Sequence, residues 1–138
     1  MRFGFAIAQP EVIAEMMKVK DSYNCDALSV IAATAAILDQ DYAKRTWDHV
    51  KAERQRLTSE LQQMGWSVLP SHGNFVLATV PNGRGKSAYL KLKEQGILVR
   101  FFDKAGLNDK IRITVGTSQE NNALLAGIRG ISVTEKAA

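Results

Sequence analysis

The amino-acid sequence predicts an α+β fold in which helices pack on a small, mostly antiparallel sheet. Apolar residues recur at steps of three and four over several long segments, which is the period of an amphipathic helix. Short apolar runs bounded by glycine, proline and polar residues lie between these segments, mainly in the second half of the chain, and are typical of strands. The predicted order is strand, helices, strand, strand, helix, strand, strand and helix.

The composition is that of one ordinary globular domain. Of the 138 residues, 46% are hydrophobic and 23% are charged, enough apolar material for a core. The longest mainly apolar run, Val30–Leu38, is too short to cross a bilayer, and the start Met1–Gly4 has no signal-peptide pattern. The single Cys25 excludes an internal disulfide and a cysteine-based zinc site. We therefore expect a cytoplasmic protein with no membrane partner.

The net charge of +4 and the pI of about 9.3 would permit an acidic partner. The basic residues, however, are spread along the chain, and those of the longest predicted helix alternate with acidic ones. The charged residues of this helix include Arg45, Asp48, Lys51, Glu53, Arg54, Arg56 and Glu60. Such a pattern is typical of a solvated face, so charge alone does not favour nucleic-acid binding.

The first third of the chain predicts one strand and two helices. Phe3–Ala8 is a short apolar run that predicts a buried strand, and Pro10 suits the first turn of a helix that continues to about Lys18. Asp21–Asn24 predicts an extended or turn segment. Ala27–Leu38 then predicts an alanine-rich helix with its larger apolar side chains on one stripe.

A long helix is predicted from about Asp41 to Met64, with Gly65 as its C-terminal cap. Its apolar stripe consists of Ala43, Trp47, Val50, Leu57, Leu61 and Met64.

The rest of the chain predicts four strands and two helices. The strands are Trp66–Leu69 and Asn74–Val80 around the turn Pro70–Gly73, and later Ile97–Phe101 and Ile111–Val115. One helix covers Lys86–Gln95, and Thr117–Glu120 has the spacing of a capping box before the last helix. The inward residues of that helix are Leu124, Leu125, Ile128 and Ile131.

Two arginines in the last predicted hairpin are candidates for a binding site. If the loop is symmetric about Gly106, Arg100 and Arg112 become cross-strand neighbours on one face. Like charges in that position destabilise a hairpin, so the pair either faces solvent or holds an anion. Guanidinium groups suit phosphate and carboxylate because their donors match two oxygens at once. From spacing alone, two exposed arginines are the favoured interpretation.

Two other patterns give little evidence for a binding or metal site. Gly83–Ser87 ends like a phosphate-binding P-loop, but Val80 stands where that motif needs a glycine, so a flexible loop before a helix is favoured. His49 and His72 are isolated from any carboxylate with ligand spacing, and no metal site is predicted.

Five segments, in order, carry a resemblance to a known family. They are Arg2–Ala8 with the following Pro10–Ile13, Ser22–Asn24, Pro70–Leu77, Gly96–Arg100 and Ile111–Thr117. Together they resemble the C-terminal third of histidinol-phosphate aminotransferases, which are fold-type I enzymes; Ser22 stands where the family has proline. The resemblance implies that residues 1–24 form the edge of a large domain that binds pyridoxal phosphate, with its connection. It implies that residues 25–138 form the small C-terminal domain.

The resemblance also implies a role for individual residues. Arg2 matches the arginine that binds the phosphate of pyridoxal phosphate. Arg100 and Arg112 match the pair that binds the phosphate of the substrate, and this reverses the preference for two merely exposed arginines. Tyr23 and Asn24 are expected near the edge of the substrate site.

The lysine that forms the Schiff base in this family is expected upstream of Met1, so the segment itself is predicted to contain no catalytic residue and to be inactive alone. The intact enzyme is expected to be a homodimer that uses pyridoxal phosphate and exchanges an amino group between L-histidinol phosphate and 2-oxoglutarate. Within the family, an aminotransferase for aromatic amino acids or a decarboxylase of threonine phosphate remains an alternative. Outside it, the alternatives are a basic nucleotide- or nucleic-acid-binding module and a structural dimerisation piece.

Overall fold

The computed structural model describes residues 3–136, and the side chains up to residue 131. These residues form five α-helices and four β-strands. The helices are α1 (Pro10–Val19), α2 (Ala27–Leu38), α3 (Gln40–Gln63), α4 (Gly85–Glu94) and α5 (Ser118–Lys136). The strands are β1 (Ser67–Val68), β2 (Phe75–Thr79), β3 (Arg100–Phe101) and β4 (Lys110–Thr114). The chain divides into two compact units, a first unit up to Arg45 and a second unit from Thr46 onward.

The helices of the first unit begin where the sequence predicts. Pro10 occupies the first turn of α1. The carboxylate of Asp26 caps α2 by accepting hydrogen bonds from the Ser29 backbone N–H at 2.8 Å and from the Ser29 hydroxyl at 2.6 Å. These two bonds hold the pKa of Asp26 below its ordinary value. No helix of the described part is long and apolar enough to span a membrane.

The prediction of a buried strand at Phe3–Ala8 is wrong. This segment has no regular secondary structure, and the side chains of Phe5 and Ile7 are 68% and 89% exposed. A strand needs a neighbour to bond its backbone, and residues 3–45 contain no strand that could pair with it. The apolar stripe of α2 is also exposed rather than packed, with Leu28 and Leu38 each 77% exposed. The pattern predicted the type of element there but not its burial.

The second unit contains the sheet, with strand order β1-β2-β4-β3 and antiparallel pairing throughout. One face of this sheet is covered by α3, α4 and α5, which confirms the predicted α+β architecture. The fully buried side chains of the core come from each of these helices and from the two central strands. They include Leu57, Leu61, Leu92, Leu125, Ile128, Val76 and Ile111.

The two edge strands are shorter than predicted because helix C-caps use their first residues. After Gly96, at φ +76°, the backbone N–H of Ile97 donates to the carbonyl of Leu92 at 2.9 Å. After Gly65, at φ +82°, the N–H of Trp66 donates to the carbonyl of Leu61 at 3.0 Å in the same way. Only glycine adopts this backbone conformation without strain. The chain therefore joins the sheet later than the apolar run begins.

Candidate functional site

Arg100 and Arg112 are Cα partners in the β3–β4 ladder, as the sequence predicts. Ile111 and Ile113 on either side of Arg112 are 0% and 2% exposed and point into the core. Because successive side chains of a strand alternate between faces, Arg112 and its partner Arg100 lie on the opposite, open face of the sheet. The two guanidinium groups therefore emerge side by side from one surface.

Two phenylalanines flank this arginine pair. The ring centroid of Phe102 lies 5.5 Å from Cζ of Arg100 and 6.0 Å from Cζ of Arg112, and the ring of Phe75 lies 5.2 Å from Cζ of Arg112. At these distances the negative face of an aromatic ring attracts a guanidinium. The sequence interpretation missed both rings. The period-two alternation from Arg100 could have placed Phe102 on the arginine face, since the two residues are two positions apart.

The positive charge of the pair is not neutralised locally. Within the described part of the chain, no carboxylate lies within ion-pair distance of Arg100 or Arg112. Two uncompensated guanidinium groups that share a face offer matched donors to an anion with several oxygens. The arrangement thus offers several hydrogen-bond donors of the kind that phosphate and carboxylate oxygens accept.

A buried polar network fixes the end of β4, the strand that carries Arg112. The side-chain amide of Asn121 accepts from the backbone N–H of Gly116 and donates to its carbonyl, each at 3.1 Å. The same amide donates to a Glu53 carboxylate oxygen at 2.6 Å, and Arg56 donates to that carboxylate at 2.7 and 3.0 Å. These bonds, first from Arg56 and then from Asn121, lower the pKa of Glu53 to about 2.

This network corrects the interpretation of the α3 charges as mostly a solvated face. Glu53 is 8% exposed and Arg56 is partly buried. Arg54 is also engaged, because it donates to the carbonyl of Gly73 at 2.7 Å. That bond holds the turn before β2, in which the Ser71 hydroxyl donates to the carbonyl of Phe75 at 2.6 Å. Three charged residues of the helix thus support the connections on which the site depends.

The remaining predicted site residues lie elsewhere in the chain. Arg2 lies outside the described residues. Tyr23 and Asn24 belong to the first unit; Tyr23 is 95% exposed, and Asn24 accepts a bond from Lys20 at 3.4 Å. The structure brings together Arg100 and Arg112, while the roles of Tyr23 and Asn24 stay predictions.

The glycine-rich segment Gly83–Ser87 runs from the end of a short 3-10 turn, Pro81–Gly83, into the first residues of α4. Gly85 lies against the hairpin backbone, where an added Cβ would be 2.6 Å from the carbonyl oxygen of Asn108. The ring of His49 lies 3.4 Å from the carbonyl oxygen of Gly116, and His72 is exposed in its turn. Among the residues that the structure describes, no three histidines, cysteines or carboxylates are grouped as for a metal ion.

Comparison with known proteins assigns the chain to a family. The family model for aminotransferase class I and II matches residues 1–128. The histidinol-phosphate aminotransferase 1 of Trichormus variabilis is 46% identical over 131 residues, which are 95% of this chain and 37% of that enzyme. The histidinol-phosphate aminotransferase of Syntrophotalea carbinolica is 44% identical over 95% of this chain and 38% of its own length. The chain thus spans less than two fifths of the relatives that it matches.

Solved structures of the same family have the same fold. The histidinol-phosphate aminotransferase of Clostridium acetobutylicum matches with a TM-score of 0.79 and 25% identity, over 90% of this chain and 38% of that one. The Sinorhizobium meliloti enzyme, solved in complex with pyridoxal-5'-phosphate, matches with a TM-score of 0.74 and 29% identity, over 88% of this chain and 35% of that one. On the family match, these likenesses and the predicted architecture, this chain belongs to the class I and II aminotransferases.

Proposed function

We propose that this chain provides the substrate-binding small-domain part of a pyridoxal-phosphate-dependent aminotransferase that acts on L-histidinol phosphate, with 2-oxoglutarate as the amino-group acceptor. The observation that carries the proposal is the cross-strand pair Arg100 and Arg112, which shares an open face and has no acidic partner among the described residues. The names of the most similar relatives, which are histidinol-phosphate aminotransferases, support the choice of substrate.

The chemistry of the substrate fits the pair. A phosphate monoester near neutral pH carries between one and two negative charges and three acceptor oxygens. One guanidinium fork can bond two oxygens and the second can bond the third while balancing the second charge. The hairpin, whose β4 strand is followed by the hydrogen bonds between Gly116 and Asn121, would hold the substrate by its phosphate and leave the amino end of the substrate free to reach the reacting centre.

The cofactor would be held mainly by residues outside the described part. Pyridoxal phosphate supplies the electron sink for amino-group transfer when bound. The one cofactor contact proposed for this chain is Arg2, whose fixed charge suits a phosphate. The lysine that carries the cofactor is proposed to lie outside this segment, which would then be inactive alone. Tyr23 and Asn24 are proposed to line the edge of the substrate site.

The proposals on domain division, assembly and location rest on the family. Residues 1–24 are proposed to be the edge of the cofactor-binding domain and residues 25–138 the small domain. The intact enzyme is proposed to be a cytoplasmic homodimer. No role in nucleic-acid or membrane binding is proposed.

A chimera tests the function directly. In it, this chain replaces the matching 131 residues of the Trichormus variabilis enzyme. We expect the chimera to transfer the amino group of histidinol phosphate, and Arg112→Ala to lower kcat/KM for this substrate by more than roughly 30-fold, or about 2 kcal/mol, because a charge-assisted bond is lost. The measurement is steady-state kinetics with histidinol phosphate, with unphosphorylated histidinol and with aromatic amino acids.

The comparison of substrates is the decisive control. The loss in Arg112→Ala should be confined to the phosphorylated substrate. Lys93→Ala, an equal charge change at an exposed position of α4, should leave all rates within about twofold. An equal loss with histidinol would show that Arg112 does not act on the phosphate. Faster turnover of aromatic amino acids than of histidinol phosphate would favour the aromatic aminotransferase instead.

A further inference from the structure

We propose that Phe102 is a positioning residue for the anion site, because its single ring lies against both arginines and holds them ready for phosphate. The proposal rests on the proposed function in one respect, the assignment of Arg100 and Arg112 to phosphate. The ring itself belongs to no part of the site that spacing or the predicted roles identified.

The hairpin separates two neighbouring phenylalanines onto two faces. Phe101 pairs with Ile111 in the ladder and its ring stacks on Tyr89, with centroids 5.8 Å apart, against the core. Phe102 is the next residue, and its ring lies instead beside the guanidinium groups, 5.5 Å from Arg100 and 6.0 Å from Arg112. Phe102 is partly buried, so its ring is held by the hairpin rather than free in solvent.

The Phe102 ring offsets the repulsion between the two arginines, which is the main unfavourable contribution to this site. Two positive charges directly opposite each other on a ladder repel, and without an anion their long side chains would swing apart into solvent. A π face attracts both cations, which favours the conformers in which they stay together. Phosphate then binds a pair whose order is already established, and less binding energy is spent on ordering side chains.

Phe75 provides an internal comparison because it makes a cation–π contact with only one of the two arginines. Its centroid is 5.2 Å from Cζ of Arg112, and among the described residues it makes no such contact with Arg100. Removing the Phe75 ring should therefore change the environment of Arg112 alone, whereas removing the Phe102 ring should change both arginines. A merely structural role for Phe102 would not produce this difference.

The test uses the 138-residue chain, labelled with ¹⁵N, and inorganic phosphate as the probe. The Nε–Hε signals of Arg100 and Arg112 are assigned by Arg→Lys substitution and followed during a phosphate titration at low ionic strength. We expect both signals to shift with one saturable curve in the wild type. Phe102→Leu should weaken phosphate binding by roughly three- to tenfold and should shift both arginine signals before any phosphate is added. Phe75→Leu should shift only that of Arg112.

Conservative variants distinguish the effect of losing the Phe102 ring from an effect on folding. Phe102→Tyr keeps the ring and should restore wild-type affinity, whereas Phe102→Met fills similar space without a ring and should behave like the leucine variant. The backbone amide signals of the core residues Ile111 and Ile113 report folding in each variant. Equal phosphate affinity in the wild type and in a folded leucine or methionine variant overturns the role of Phe102 and leaves the arginine pair intact. Failure of wild-type phosphate to shift either arginine overturns the phosphate assignment itself.

Discussion

At the scale of single residues, the site depends on a buried carboxylate that looks like a surface charge in the sequence. Glu53 lies in a helix with alternating charges, yet it is 8% exposed and bonded by Arg56 and Asn121. A buried charge is tolerated only when it is paired and hydrogen-bonded, and both conditions hold here. Because Asn121 also binds both backbone groups of Gly116, the carboxylate is linked to the strand that carries Arg112.

We expect the free energy of unfolding to depend on the ionisation of Glu53. Its folded pKa is lowered from 4.5 to about 2, so its contribution is fully present above pH 4.5 and is lost as the pH falls toward 2. A depression of that size corresponds to at most roughly 3 kcal/mol. Glu53→Gln should lower stability at pH 7 by about 2 kcal/mol, and the difference from the wild type should shrink between pH 5 and pH 2. Urea unfolding of the wild type and of Glu53→Gln at each pH measures the difference in their free energies of unfolding.

Glu94→Gln is the matched control, since Glu94 is an exposed carboxylate at the end of α4. It should leave stability within about 0.5 kcal/mol across the same range. A stability difference for Glu53→Gln that stays constant down to pH 2 would contradict the assigned pKa shift.

At the scale of elements, α4 is in close contact, at a glycine, with the β3–β4 hairpin that carries Arg100 and Arg112. Gly85 is the first residue of α4, and an added Cβ would lie 2.6 Å from the Asn108 carbonyl oxygen and 3.0 Å from the Lys110 backbone nitrogen. Backbone atoms cannot move aside as a flexible side chain can. The glycine that resembles part of a P-loop therefore serves as the contact point between a helix and the loop before β4.

We expect Gly85→Ala to destabilise the chain by about 1–3 kcal/mol, although alanine normally favours a helix, because the methyl group forces the loop before β4 to shift. Gly130→Ala in α5 is the control, since among the described residues no atom lies within 4 Å of the Cβ position there, apart from the chain neighbours and the helix's own backbone. It should stabilise by about 0.5–1 kcal/mol. Thermal unfolding measures both. Equal gains in the two variants would show that the contact at Gly85 relaxes without cost.

The capping box at the start of α5 connects the same strand to the last helix. The Glu120 carboxylate accepts from the backbone N–H and the hydroxyl of Thr117, each at 2.8 Å, and these bonds lower its pKa. We expect Thr117→Ala to lower the free energy of unfolding by about 1 kcal/mol, as for other lost caps, in denaturant titration. Thr117→Ser, which keeps the hydroxyl, should recover most of the loss. If serine is no better than alanine, the hydroxyl does not cap the helix.

At the scale of the whole molecule, the two units differ in burial. Every buried residue in the described part of the chain lies in the second unit, while α1 and α2 bury none. A segment without buried apolar contacts opens at low free energy. Large apolar side chains of α2, including Leu28, Ile31 and Leu38, are exposed within the part of the chain that the structure describes.

We expect limited trypsin digestion to cut first in the exposed segment around Lys18 and Lys20, and to leave a resistant fragment that contains the second unit. Cleavage at Lys91 and Lys93 should be slower, because α4 packs on the core through Leu92. Mass spectrometry over time identifies the order. Cleavage at both places at equal rates would show that the two units open together.

The sequence predicted the element types well wherever a local rule decided them. Pro10 starts a helix, Gly65 and Gly96 end helices, and Thr117 caps the last one, because these residues act on backbone groups a few positions away. The pairing of the arginines followed from the symmetry of the hairpin loop. The prediction of a strand at Phe3–Ala8 was wrong, because a strand forms only beside a partner strand. The sequence does not show whether such a partner is present.

What the sequence by itself determined about this protein is its architecture, its family and the two arginines of the candidate site. These follow from periodicity, from caps and from motifs in a fixed order, all of which are properties of the chain alone. Only the tertiary structure decided that Glu53 is buried, that Gly85 touches the hairpin and that Phe102 lies beside both guanidinium groups. The physical reason is that burial, close approach and cation–π contact depend on atoms from distant segments, which meet only when the core has packed.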